Sequence, residues 1–141
     1  MNKPSTETRS VVVEREFPFP PEKLWRALTQ PHLIEEWLME NDFKPIVGRR
    51  FNLRRSPRPD VNIVVDCEVL VVEPNKTLTY TWDAKGLESV VTWTLTPTGA
   101  GTHLRMEQAG FRTDQRQAFG GAMAGWRQFF ERLEEVLART E

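Results

Sequence analysis

Few residues of this chain are equipped for chemistry. The one cysteine, Cys67, lies between Asp66 and Glu68. A reactive thiolate needs a nearby cation or helix N-terminus to lower its pKa, and flanking carboxylates act the other way. Cys67 therefore reads as a buried, inert thiol. The two histidines, His32 and His103, stand far apart, and no His, Cys and carboxylate set has zinc spacing. There is no glycine loop to cradle phosphate and no Gly-x-Ser-x-Gly turn. On these grounds no catalytic residue, metal or cofactor is assigned.

Two neutral polar groups remain, the Tyr80 hydroxyl and the Gln108 amide, each alternating with bulky apolar neighbours. They would orient a ligand in an otherwise greasy space, or bond internally to backbone. Arg15 shares the parity of Val11, Val13 and Phe17, which would turn it inward; a bulge or an edge position would turn it to solvent, the favoured reading. The basic concentration is Arg49, Arg50, Arg54, Arg55 and Arg58. It reads as a solvated hairpin tip, with an anionic ligand tail or an acidic partner protein as the functional alternatives.

Composition narrows the field further. With 141 residues, one domain is expected, long enough for a full core without disulfides. A net charge of −1 gives no field to recruit nucleic acid or an acidic membrane. No apolar run approaches a membrane span, and Met1 to Ser10 lacks a signal-peptide core. A single cysteine suits a reducing compartment, so the cytoplasm is expected. The unusual feature is aromatic: five Trp and eight Phe.

The elements that would position these groups follow from periodicity. Residues 1–9 read as a disordered lead-in. Val11–Phe17 reads as a strand, ended by Pro18, Pro20 and Pro21. Pro21 and Pro31 open two short helices carrying Leu24, Trp25, Leu28 and then Leu33, Ile34, Trp37. A broken strand over Phe43–Leu53, turning at Gly48, precedes a loop at residues 54–60. Val61–Glu73, Thr77–Trp82, Glu88–Thr96 and Thr102–Ala109 alternate large with polar, and short connections make them an antiparallel meander. Then the period changes. Phe119, Met123, Trp126, Phe130, Leu133 and Leu137 mark one face of a helix from about Gln115 to Ala138, opened by an Asp114–Gln117 capping pair. Gly120, Gly121 and Gly125 lie in its first half, each unfavourable there by about 1 kcal/mol against Ala. Gly121 and Gly125 are expected to leave space at a cavity mouth or against the sheet.

Several phrases, in order, resemble a known family. They include Leu24-Trp25-Arg26-Ala27-Leu28-Thr29-Gln30-Pro31-His32-Leu33 with Trp37, then Gly48-Arg49-Arg50-Phe51 and Glu68-Val69-Leu70-Val71-Val72-Glu73-Pro74. Leu78-Thr79-Tyr80-Thr81-Trp82, Val91-Thr92-Trp93-Thr94-Leu95-Thr96-Pro97, Gln108-Ala109-Gly110-Phe111 and Gly125-Trp126 follow. Over about residues 10–138 the chain resembles bacterial proteins similar to the C-terminal domain of the activator of Hsp90 ATPase, in the START-like (SRPBCC) superfamily. The resemblance implies an α+β helix-grip fold in one domain, residues 10–141. About six curved antiparallel strands, two short helices and a long C-terminal helix would enclose a cavity. Fold alone does not choose among the ligand binders, co-chaperones and enzymes of that superfamily.

The first expectation is non-catalytic binding of a small, mostly apolar molecule between sheet and C-terminal helix. The expected wall is Trp37, Phe51, Tyr80, Trp82, Trp93, Met106, Gln108, Phe119, Met123 and Trp126. The alternatives are a protein-interaction module using the outer sheet face and the basic loop, and an enzyme acting on a small hydrophobic substrate. Nucleic acid is not an expected partner, and the sequence leaves the oligomeric state open.

Overall fold

The alternation of Leu78, Tyr80 and Trp82, and of Val91, Trp93 and Leu95, produces strands whose large side chains are all buried. A computed structural model describes residues 7–140. The elements in order are β1 (Thr8–Phe17), α1 (Pro21–Thr29), α2 (Pro31–Trp37), β2 (Glu40–Asn41), β3 (Arg50–Arg58), β4 (Val61–Glu73), β5 (Thr77–Ala84), β6 (Leu87–Pro97), β7 (Thr102–Arg112) and α3 (Arg116–Arg139). The sheet is antiparallel throughout, in the order β1-β7-β6-β5-β4-β3-β2. It curves around α3, the helix-grip arrangement. First and last strands pair side by side, so the chain ends close the same half of the sheet.

The register places Trp93 opposite Met106 and Leu78, and Val91 opposite Gln108 and Tyr80. One inner face thus collects nearly every bulky strand residue. The helix α3 lays Trp126, Phe129, Phe130, Leu133, Val136 and Leu137 on that face. It also touches α1 and α2, which cover the rest. Trp37 on α2 donates its indole N–H to the Ala27 carbonyl at 2.8 Å, fastening the two short helices together.

Four sequence expectations need correction. Residues 54–60 are not a loop: β3 runs to Arg58, and the turn is Pro59-Asp60. A bulge between Arg55 and Arg58 leaves Pro57 outside the ladder, where its missing N–H costs nothing. Phe43 is not in a strand; the chain reaches β3 through a turn with Gly48 at φ +87°, and Gly48 N–H donates to the Val69 carbonyl at 2.8 Å. The Asp114–Gln117 capping pair does not form. Gln115 precedes the helix instead, accepting from Arg112 N–H at 2.9 Å and donating to the Gly86 carbonyl at 3.3 Å, while Asp114 pairs with Arg112. The two-residue β2 agrees with the expected count of about six strands and makes a seventh, too short for alternation to show. Of the expected lead-in, residues 1–6 lie outside the described residues, and Thr8 and Arg9 extend β1 by pairing with Arg112 and Phe111.

Gly101 marks the tightest backbone approach. A Cβ there would stand 2.0 Å from the Phe17 carbonyl oxygen, so only glycine lets the β6–β7 turn pass the end of β1.

Candidate functional site

The interior is built outward from Trp93, which is fully buried on β6. Its ring meets Trp37 edge-on at 5.6 Å, Trp126 edge-on at 5.6 Å and Phe130 in a stack at 5.8 Å. Its indole N–H donates to the Tyr80 hydroxyl at 3.0 Å. Farther along the sheet, Phe43, Phe51 and Tyr80 form an edge-to-face cluster with centroid spacings of 4.9, 5.3 and 6.3 Å. Such contacts add to area burial and leave these rings no free face. Burial pushes the Tyr80 phenol well above its ordinary pKa, against the lowering effect of the bond from Trp93.

Packing loosens on the other side of Trp126. Trp82 leans on Trp126 at 5.2 Å, and beyond it lies a pocket of about 230 Å³ between α3 and the β5–β7 end of the sheet. Its apolar wall is Trp82, Leu87, Trp126 and Phe129; its polar member is Gln108; its helix side is Gly121, Ala122 and Gly125. Gly121 is exposed, so the pocket reaches solvent there. A Cβ added at Gly121 or Gly125 would meet nothing within 4 Å. The helix glycines therefore face open space and are not forced by crowding.

Gln108 is only 1% exposed and anchors a buried network. Its Oε1 accepts from Trp126 Nε1–H at 2.7 Å, and its Nε2 donates to Ser89 Oγ at 3.0 Å. Ser89 Oγ–H in turn donates to the Trp82 carbonyl at 2.7 Å. These bonds tie β5, β6, β7 and α3 together beneath the pocket.

The structure gathers all ten expected residues on the inner side but separates them by depth. Trp82, Gln108 and Trp126 border the pocket. Trp37, Trp93 and Met106 are packed core, and Phe51 and Tyr80 belong to the cluster with Phe43. Phe119 stands against Phe111 at 5.5 Å, beneath the Arg9 guanidinium at 4.2 Å. Met123 is half-buried at the margin of the core. Leu87, Ala122 and Phe129 were not anticipated. Phe129 was the most legible of them, because a core-facing stripe is wider than one residue per turn and Phe129 follows Trp126 by one such step.

The remaining chemical candidates fall outside the pocket. Burial, reinforced by Asp66, Asp83 and Asp42, pushes the Cys67 thiol far above its ordinary pKa. Arg15 reaches sideways to Glu134 on α3 at 3.7 Å and stays one-third exposed. His103 meets Glu14 at 2.9 Å on the outer face. The arginines of β3 are exposed, with Arg50 beside Glu68 and Arg58 beside Asp60. A second hollow of about 630 Å³ lies where α2 meets the β3–β4 hairpin, between Leu38, Met39 and Glu40 on one side and Arg54, Arg55 and Ile63 on the other. Among the described residues no cluster of His, Cys, Asp and Glu is placed to hold a metal ion. No helix among them is long and apolar enough to cross a membrane.

The model of the family described as activator of Hsp90 ATPase homolog 1-like protein matches residues 18–138. The chain belongs to that family. A crystal structure of a Mesorhizobium loti protein superposes with a TM-score of 0.87 at 66% identity, over 94% of this chain and 99% of that one. CalU16 from Micromonospora echinospora gives a TM-score of 0.78 at 25% identity, over 94% of this chain and 78% of that one. A putative protein of the dynemicin biosynthetic locus, DynU16, gives 0.80 at 25% identity. The match spans 96% of this chain but 48% of that longer one. No curated protein sequence matches the chain. These likenesses support the START-like architecture of this activator-of-Hsp90-ATPase-like chain, an architecture suited to ligand binding.

Proposed function

We propose that the protein binds a small, mostly apolar molecule of one or two rings in the pocket under the first half of α3. The observation that carries this reading is the gap opposite Gly121 and Gly125. Two helix positions forgo about 1 kcal/mol each of intrinsic propensity while a Cβ would meet no neighbour. A longer side chain such as Leu at these points would fill the gap; glycine keeps it open beside two tryptophans. At about 230 Å³ the pocket is below the roughly 300–1,000 Å³ that holds drug-sized molecules, which sets the size of the guest. Affinity would come from desolvation, about 25 cal/mol for each Å² of apolar surface removed from water. The bordering residues carry no carboxylate, imidazole or thiol, so binding rather than turnover is the activity proposed. The buried, unreactive Cys67 suits a reducing compartment such as the cytoplasm.

The test is Gly125→Leu, which places a branched side chain in the gap. A neutral naphthalene probe should quench tryptophan emission saturably in the parent, and the folded variant should bind it at least about tenfold more weakly. Equal binding by the folded variant would place the site elsewhere.

The second hollow supports a rival reading, a protein-interaction surface. Arg54 and Arg55 stand there beside Leu38, Met39 and the half-exposed Val64. That reading gains if the parent ignores apolar probes but captures an acidic protein in a salt-sensitive manner.

A further inference from the structure

The hollow beside α2 is lined by charges of both signs, sorted onto different elements. Glu35 on α2 and Glu40 on β2 contribute carboxylates, and Arg54 and Arg55 on β3 contribute guanidinium groups. Its apolar lining is the buried Leu38 and Met39 with the half-buried Ile63. At the rim, Ser56 donates to Asn62 Oδ1 at 2.7 Å and ties the two strands of the β3–β4 hairpin together. Little in the protein engages the four charges. Glu36, next along α2, pairs with Arg139 at 2.6 Å, but the side chains of Glu35, Glu40 and Arg55 have no hydrogen-bond or ion-pair partner among the described residues. Arg54 stands opposite Glu40 in the β2–β3 ladder, yet its guanidinium turns to Asn52 Oδ1 and the pair does not close. An opposite-charge pair across two strands normally supports a sheet, so an open one leaves both charges to a guest. The volume, about 630 Å³, lies within the range of small-molecule sites.

We infer that this hollow binds a small zwitterion with an apolar body, the chemistry of an apolar dipeptide. Its ammonium meets Glu35 and Glu40, its carboxylate meets Arg55 and Arg54, and its side chains cover Leu38, Met39 and Ile63. The inference is independent of the pocket under α3. A purely acidic guest, the partner in the rival reading, would meet the two carboxylates as well as the arginines. A purely cationic guest would meet the reverse. An uncharged apolar guest would strip water from four charged groups and put nothing in its place. A guest with both charges meets an opposite charge from each set. The arginine fork suits a carboxylate through parallel N–H···O bonds, and the three donors of an ammonium suit a pair of carboxylates. The site is open and its ion pairs are screened, so the apolar body supplies most of the affinity and the charges supply the selectivity.

The probe is leucyl-leucine, compared at pH 7 with N-acetyl-leucyl-leucine, which lacks the ammonium, and leucyl-leucinamide, which lacks the carboxylate. Binding is followed by nuclear magnetic resonance on protein labelled at its methionine methyl groups. Met39 lines the hollow, Met106 is packed core and Met123 lies at the margin of the core on α3, so the peaks also report where the guest sits. Leucyl-leucine should move the Met39 peak saturably and bind at least about threefold more tightly than either blocked form, with a preference that shrinks in high salt. The double variant Glu35→Gln/Glu40→Gln should abolish the preference over the acetylated form. Arg55→Gln should lower the preference over the amide at least about twofold, since Arg54 remains. All three positions are exposed, so the variants should fold as the parent does. Equal or tighter binding of either blocked form overturns the inference, and tighter binding of the acetylated form turns the hollow back to an acidic guest. Preferences unchanged in the folded variants also overturn it. So does a guest that moves Met123 and leaves Met39 in place, or the lack of a saturable shift with any of the three.

Discussion

Trp82 and Trp126 stand 5.2 Å apart, yet their substitution should have different consequences, because Gln108 holds the Trp126 N–H while the Trp82 N–H has no acceptor among the described residues. Trp82→Phe keeps an aromatic ring and orphans no partner. It should lower stability by less than about 1.5 kcal/mol, the usual limit for tolerated apolar exchanges. Gln108→Leu leaves Trp126 N–H without its acceptor and Ser89 Oγ without one of its donors. It should cost about 2–4 kcal/mol in urea unfolding, since each orphaned buried group costs about 1–3. Similar losses for the two variants would mean that the network is not the anchor described. Strand parity makes Gln108 legible as inward-facing, but not the choice between its two readings. Parity gives the face of a residue and says nothing of its depth. Trp93 and Trp82 are indistinguishable on that basis; one is the centre of the core and the other the wall of a pocket. What separates them is the helix face above, glycine over Trp82 and Phe130 over Trp93.

At the scale of elements, glycine spacing carries opposite meanings in two places. Gly121→Ala on α3 adds a methyl group to open space and should raise the melting temperature, with a gain of up to about 1 kcal/mol from helix propensity. Gly101→Ala drives a Cβ to 2.0 Å from the Phe17 carbonyl and should unfold the protein or shift β1 against β7. A destabilised Gly121→Ala, measured by thermal denaturation, would mean that the first turns of α3 are drawn onto the sheet more closely than described. Most elements were readable because long alternation and a clear change of period are strong signals. The β3 error came from reading prolines as loop residues, whereas the β3–β4 hairpin absorbs Pro57 in a bulge at its solvated end. The α3 cap was misread because Asp114 pairs with Arg112 at 3.2 Å and Gln115, not Asp114, immediately precedes the helix.

Across the whole molecule, closure depends on joining β1 to β7, the two strands farthest apart in the chain. One charge on that seam gives it a pH dependence. Glu107 lies on β7, and bonds from Ser10 on β1 and from Arg105 hold its carboxyl below the ordinary glutamate pKa. A carboxyl depressed in the folded state contributes stability above its unfolded pKa of about 4.3 and loses it as pH falls through the folded value. The side chain is about one-third exposed, so solvent and salt screen the effect. Glu107→Gln should therefore lie below the parent in stability at pH 7 by a small margin that closes on acidification. The two urea midpoints should converge once pH is well below 4. The difference should also shrink in high salt at neutral pH. Cys67 and Tyr80, both pushed upward by burial, stay protonated across this range and add no slope of their own. A margin that instead persisted undiminished at low pH would show that position 107 acts through packing or a neutral hydrogen bond, and that the β1–β7 seam carries no charge-dependent contribution there.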